Sequence, residues 1–73
     1  MQTQPTPVSL EHFPVMLRQA RAKQGLRQQD MAERMGITQQ AYQKLESPGA
    51  NPTISTIMRL EKALGAELFK INF

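Results

Sequence analysis

Three residues, Gly36-Ile37-Thr38, separate two segments that each carry a helical apolar stripe. No other feature constrains the fold as tightly. Upstream, Met31, Ala32 and Met35 recur at i, i+1 and i+4; downstream, Ala41, Tyr42 and Leu45 fall on one face. A link this short forces the second helix to lie against the first. Gly36 accepts the backbone conformation that ends a helix. Thr38 offers a hydroxyl that caps the next one. The reading is one helix over Gln28 to Met35 and another over Gln39 to Glu46. Helices of this length are unstable alone and must be held by packing.

The flanking segments complete a small helical bundle. The first helix is placed at 14–24, with Pro14 at the first helical position, where its missing N–H costs nothing. Phe13, Met16, Leu17 and Ala20 are read as inward, and Arg18, Arg21 and Lys23 as outward. Thr53 caps a further helix over Ile54 to Leu64, with Ile57, Leu60 and Leu64 inward. Residues 1–8 hold two prolines and little apolar surface, and read as a flexible tail. The domain proper spans 9–65. Residues 66–73 switch period: Phe69, Ile71 and Phe73 alternate with Leu68, Lys70 and Asn72, the pattern of a strand. The fold class expected is therefore all-α, about four helices, with a C-terminal β-strand. A lone strand leaves a row of backbone groups unpaired. Pairing with its own copy satisfies them, which places Leu68, Phe69, Ile71 and Phe73 at a homodimer interface.

Length and composition exclude several functions. A chain of 73 residues buries only about 60% of its unfolded surface, so it forms one small domain without a deep cleft. With no Cys and one His, it has no disulfide frame, thiolate site or histidine-rich metal site. His12 has no partners at metal-ligand spacing and reads as a flanking residue. No Ser/His/Asp set, Gly-rich phosphate loop or usefully spaced carboxylate pair is present, so neither catalysis nor a cofactor is expected. No apolar run approaches the roughly 18 residues of a membrane span, and the N-terminus lacks a secretory pattern. A cytoplasmic protein with no membrane partner is expected.

Charge and amide content point to a polyanion. The net charge is +3, but residues 18–44 alone hold six basic and two acidic side chains. Such a local excess favours nucleic acid first and an anionic membrane second. Seven of the nine glutamines lie between Gln19 and Gln43. Glutamine carries a donor and an acceptor together, as reading a base edge requires. Gln39, Gln40, Gln43 and Lys44 share the face of their helix opposite Tyr42, and are candidates for base or phosphate contact. Gln28, in the first turn of the preceding helix, is placed for a phosphate. Arg27 stands where a cap residue would be favoured and fits that role poorly, which marks it as a phosphate contact; Asp30 partly offsets the missing cap. Glu46 fits a structural position, bonding backbone or a basic neighbour.

The stretch Leu26 to Glu46, with Ala32, Gly36-Ile37-Thr38 and Leu45-Glu46 at fixed spacing, resembles the Cro/repressor-like (XRE) family of DNA-binding domains. The likeness continues through Asn51-Pro52-Thr53 to Ala63-Leu64-Gly65, so it covers 14–65. It implies a helix-turn-helix, lambda-repressor-like bundle whose third helix enters a major groove. It also implies a double-stranded operator, expected to be palindromic, and nucleoid association in a bacterial cytoplasm. In the family, Thr38 opens the recognition helix, and the loop from Ser47 to Pro52, with Ser47 and Asn51, lies where relatives anchor phosphates, although here it holds no Lys or Arg. A fourth helix followed directly by a strand is most similar to HipB-type antitoxins. That implies a self-regulating repressor that binds a HipA-type kinase toxin; the alternative is a stand-alone or phage-type repressor.

Overall fold

The computed structural model describes residues 11–68. Among them four helices follow one another: α1, Phe13–Lys23; α2, Gln28–Met35; α3, Gln39–Leu45; α4, Ile54–Leu64. α2 packs against both α3 and α4, whereas α3 and α4 meet only weakly. The core lies among all four. Phe13 and Leu17 enter from α1, Met31, Ala32 and Met35 from α2, Tyr42 from α3, and Ile57, Leu60, Ala63 and Leu64 from α4. Leu26, Ile37, Leu45 and Leu68 pack around its rim. Each large apolar side chain so buried is worth about 1.5–3 kcal/mol, and this is what holds helices as short as α2 and α3.

The helix ends follow local chemistry. Thr38 Oγ1 accepts the Ala41 N–H at 3.0 Å, and Thr53 Oγ1 accepts that of Thr56 at 3.1 Å. α2 has no such cap oxygen. Instead, the Asp30 carboxylate accepts the Arg27 backbone N–H at 2.7 Å, and its charge suits the first turn of the helix. Gly36 and Gly65 take left-handed conformations, φ 70° and 72°, that turn the chain out of α2 and α4. At the far ends, two arginines cross between helices. Arg34 donates to the Ala63 carbonyl at 2.8 Å and Arg59 to the Met35 carbonyl at 2.9 Å, so each helix supplies a cation to the other's C-terminus.

The structure corrects several expectations. α1 begins at Phe13 rather than Pro14 because the His12 carbonyl already accepts from the Met16 N–H, and it ends at Lys23 rather than Gln24, which is the C-cap. α3 ends at Leu45. The Glu46 N–H turns in to the Gln43 carbonyl, leaving Glu46 at the cap. Ala41 is exposed, and Arg21 is drawn inward by a carboxylate. No strand occurs among the described residues. Ala66 to Leu68 bend back instead along α4: the Ala66 N–H reaches the Glu61 carbonyl, and the Leu68 N–H reaches the Glu61 carboxylate at 2.8 Å. Donors that a strand would offer to a partner are thus used within the chain. Phe69, Ile71 and Phe73, like the tail 1–8, lie outside the described residues.

One buried carboxylate joins three helices. Glu46 Oε2 accepts from Arg21 Nε of α1 at 2.6 Å and from the Tyr42 hydroxyl of α3 at 2.5 Å. Its Oε1 accepts from Arg21 Nη2 and from Gln28 Nε2 of α2, both at 3.1 Å. These four bonds fill the acceptor capacity of a carboxylate. Arg21 also donates to the Leu26 carbonyl at 2.9 Å, which fixes the α1–α2 link. No buried side-chain polar atom among the described residues lacks a partner. Burial alone pushes the Glu46 carboxyl up, but the bonds from Arg21, Tyr42 and Gln28 outweigh it and hold the group below the usual glutamate range. Burial, and then the neighbouring carboxylate, push the Tyr42 phenol strongly upward, so it stays a donor.

Two outcomes follow for stability. Glu46→Ala leaves Arg21 buried without a counter-charge and is expected to cost about 3–5 kcal/mol, whereas Tyr42→Phe removes one donor and costs about 1 kcal/mol. Urea denaturation followed by circular dichroism measures both. Because the folded Glu46 carboxyl lies below its unfolded value, its contribution is present above about pH 4.3 and is lost as pH falls through the depressed folded value. Glu46→Gln is expected to flatten that acid limb; an unchanged limb would assign it to other carboxylates.

Candidate nucleic-acid interface

α3 is amphipathic over its two turns. Its inner side is fixed by Tyr42, fully buried, and by half-buried Leu45. The outer side presents Gln39, Gln40, Ala41, Gln43 and Lys44, all exposed. None of the three glutamine side chains, nor Lys44, has a side-chain hydrogen bond within the described residues, so every amide donor and acceptor on this face is available. An amide free at both ends is able to pair bidentately with the adenine edge in a major groove. Lys44 adds a cation in the last turn.

Ala41 is the residue of this face that sequence reasoning missed. It precedes Tyr42 and lies one turn before Leu45, so the period assigns it inward, yet it is open to solvent. Its methyl is small enough to let the flanking glutamines approach a base edge and to contact a thymine methyl.

The remaining candidates divide by what they already hold. Thr38 is exposed, but its hydroxyl is engaged as the α3 cap. Ser47 Oγ donates to the Gln43 carbonyl at 2.8 Å and finishes the same helix at its other end. These two set the ends of the glutamine face. Gln28 is half-buried and spends one amide N–H on Glu46, so it ties the start of α2 to the end of α3. Arg27 is exposed, with Nε and Nη2 each 3.3 Å from the Asp30 carboxylate, which leaves three N–H donors facing solvent. The hydrogen bond from Arg27 holds the Asp30 carboxyl below its usual value. Asn51 is exposed in the loop before α4. Arg27, Gln28 and the α3 face are thus brought to one region through the Gln28–Glu46 bond, whereas no hydrogen bond among the described residues joins Asn51 to them.

Among the described residues no cluster of His, Cys, Asp or Glu has the make-up of a metal site. No helix is long and apolar enough to cross a membrane.

Comparison with known proteins agrees with this geometry. A family model described as helix-turn-helix matches residues 17–71. The chain is 40% identical over 53 residues to the SPbeta prophage-derived uncharacterized HTH-type transcriptional regulator YonR of Bacillus subtilis, an alignment covering 73% of this chain and 49% of that protein. It is 36% identical over 52 residues to an uncharacterized HTH-type transcriptional regulator of Methanothermobacter thermautotrophicus, covering 71% of this chain and 75% of that protein. The chain thus spans about half the length of the first of these relatives and three-quarters of the second. No solved structure matches it. With the two short helices, the three-residue turn and the free outer face all in place, the chain belongs to the helix-turn-helix family.

Proposed function

We propose that this chain is a sequence-specific DNA-binding transcriptional repressor that reads duplex DNA with α3. The observation that carries the reading is the row of exposed, internally unpartnered amides at Gln39, Gln40 and Gln43 on a helix whose opposite side is locked by Tyr42. Its relatives' names, both transcriptional regulators, bear on the same reading. Seven helical residues span about 10 Å and reach only a few base pairs. Two copies related by a two-fold axis would set two α3 helices about 34 Å apart, one DNA turn, on a palindromic operator. In this reading the homodimer is clamped by Leu68, Phe69, Ile71 and Phe73.

Within the family we place the chain nearest the HipB-type antitoxins, with a HipA-type kinase toxin as partner. What supports it is the likeness of the stretch Thr53 to Leu64, a helix capped by the Thr53 hydroxyl, to that group. Copurification of a HipA-type kinase with the tagged chain would support this placement. Operator binding with no kinase partner would return the chain to the stand-alone repressors.

Two variants test the DNA reading. Gln40→Ala is expected to lose about 1–3 kcal/mol on the operator and much less on random duplex at the same salt. Equal losses on both would mean that Gln40 does not read sequence. Arg27→Ser is expected to weaken operator and random DNA alike and to lower the log–log salt slope by about one unit per subunit. An unchanged slope would remove Arg27 from the phosphate contacts.

A further inference from the structure

A second surface lies between α2 and α4, lined by no residue of the reading helix. An open cleft of about 460 Å³ is lined by Arg34 and Met35 from the end of α2 and by Arg59, Lys62 and Ala63 from α4. No residue of α3 or of the first turn of α2 takes part. Among the described residues that line it, three are cationic and none is acidic. Arg34 and Arg59 are aimed by their bonds to the Ala63 and Met35 carbonyls, which consume one N–H each and hold both guanidinium groups beside the cleft. Four N–H donors remain on each. Lys62 is exposed and has no ion pair within the described residues. The same stretch of α4 continues into apolar surface. Ile54 is 65% exposed and Met58 62%, and with Lys62 they sit at successive i+4 steps along the helix.

From this juxtaposition we propose that the α2–α4 cleft and the Ile54–Met58 stripe form one docking surface for an acidic, amphipathic segment of another protein. Carboxylates of that segment engage Arg34, Arg59 and Lys62 as charge-assisted pairs. Its apolar side chains cover Met58 and Ile54, two large side chains that a purely electrostatic ligand would leave wet. A duplex offers the cations phosphates but gives Ile54 and Met58 no apolar partner, which favours a protein segment. The fold supplies a further reason. No residue of α3 lines the cleft, so filling the cleft leaves the glutamine face of α3 uncovered. The surface therefore fits a partner that joins the chain on DNA, as a corepressor or antirepressor would. The proposal rests on the DNA reading only for the simultaneity of the two events.

The test uses the 73-residue chain and a synthetic acidic peptide with Glu and Leu at helical spacing, followed by amide chemical shifts with and without an operator duplex. Expected are shifts confined to residues around Arg34, Met58, Arg59 and Lys62, unchanged when duplex is added. Lys62→Glu is expected to weaken peptide binding at least tenfold and Met58→Ser several-fold, each with an unaltered urea midpoint. A matched Lys/Leu peptide is expected not to bind. Displacement of the peptide by duplex, shifts centred on α3, insensitivity to both substitutions, or self-association of the chain through this face would each overturn the proposal. Gln40→Ala separates the two readings, since it acts on operator affinity and leaves the peptide untouched.

Discussion

The Glu46 carboxylate is the interaction on which the arrangement depends. It stands at the end of α3 and is 7% exposed, yet it is ionised and fully paired. A carboxylate taken out of water costs several kcal/mol unless its lone pairs are met, and the domain has little stability from which to meet such a cost. Arg21, Gln28 and Tyr42 meet all of them from three different helices. The apolar core gives α3 a place to pack, but apolar contacts tolerate rotation and sliding. Directed bonds from Arg21 of α1 and Gln28 of α2 do not, and they set how α3 is turned.

That orientation decides what the outer face offers. With the end of α3 tied to α1 by Arg21 and to α2 by Gln28, and Tyr42 buried on its inner side, the face that carries Gln39, Gln40 and Gln43 points outward. Thr38 and Ser47 define where the helix starts and stops, so a seven-residue element presents the same glutamines in the same order. The cleft between α2 and α4 is built on another principle. There, Arg34 and Arg59 exchange bonds with helix C-termini, and the cations crowd one cleft. The molecule thus carries an amide-rich surface suited to base edges and, built from other residues, a cationic and apolar surface suited to acidic protein.

Much of the fold is legible in local sequence because caps and turns are local chemistry. Thr38, Thr53, Gly36 and Gly65 each act within a few residues, and the helix ends they mark at α2 and α4 fall where the sequence places them. Arg21 was not legible. Phe13, Leu17 and Arg21 follow one another at i+4 steps, so period argues inward and charge argues outward. Only a carboxylate 25 residues away decides between them. Ala41 failed for the opposite reason: a methyl commits to neither side. The stretch 66–73 reads as strand from the alternation of Leu68 to Phe73, but at its described start the Glu61 carboxylate takes the Leu68 backbone donor. The exposed glutamine face was legible because Tyr42 and Leu45 leave it only one direction to take.

The central claim is that one carboxylate couples the reading helix to the rest of the bundle. Amide hydrogen exchange on Glu46→Gln, compared with the natural chain, tests it most directly. The expected result is that amides of α1 and α3 lose protection together and by similar factors, as members of one opening event. If the α3 amides keep their full protection while only α1 loosens, the coupling claim is contradicted, and apolar packing alone holds the reading helix in place.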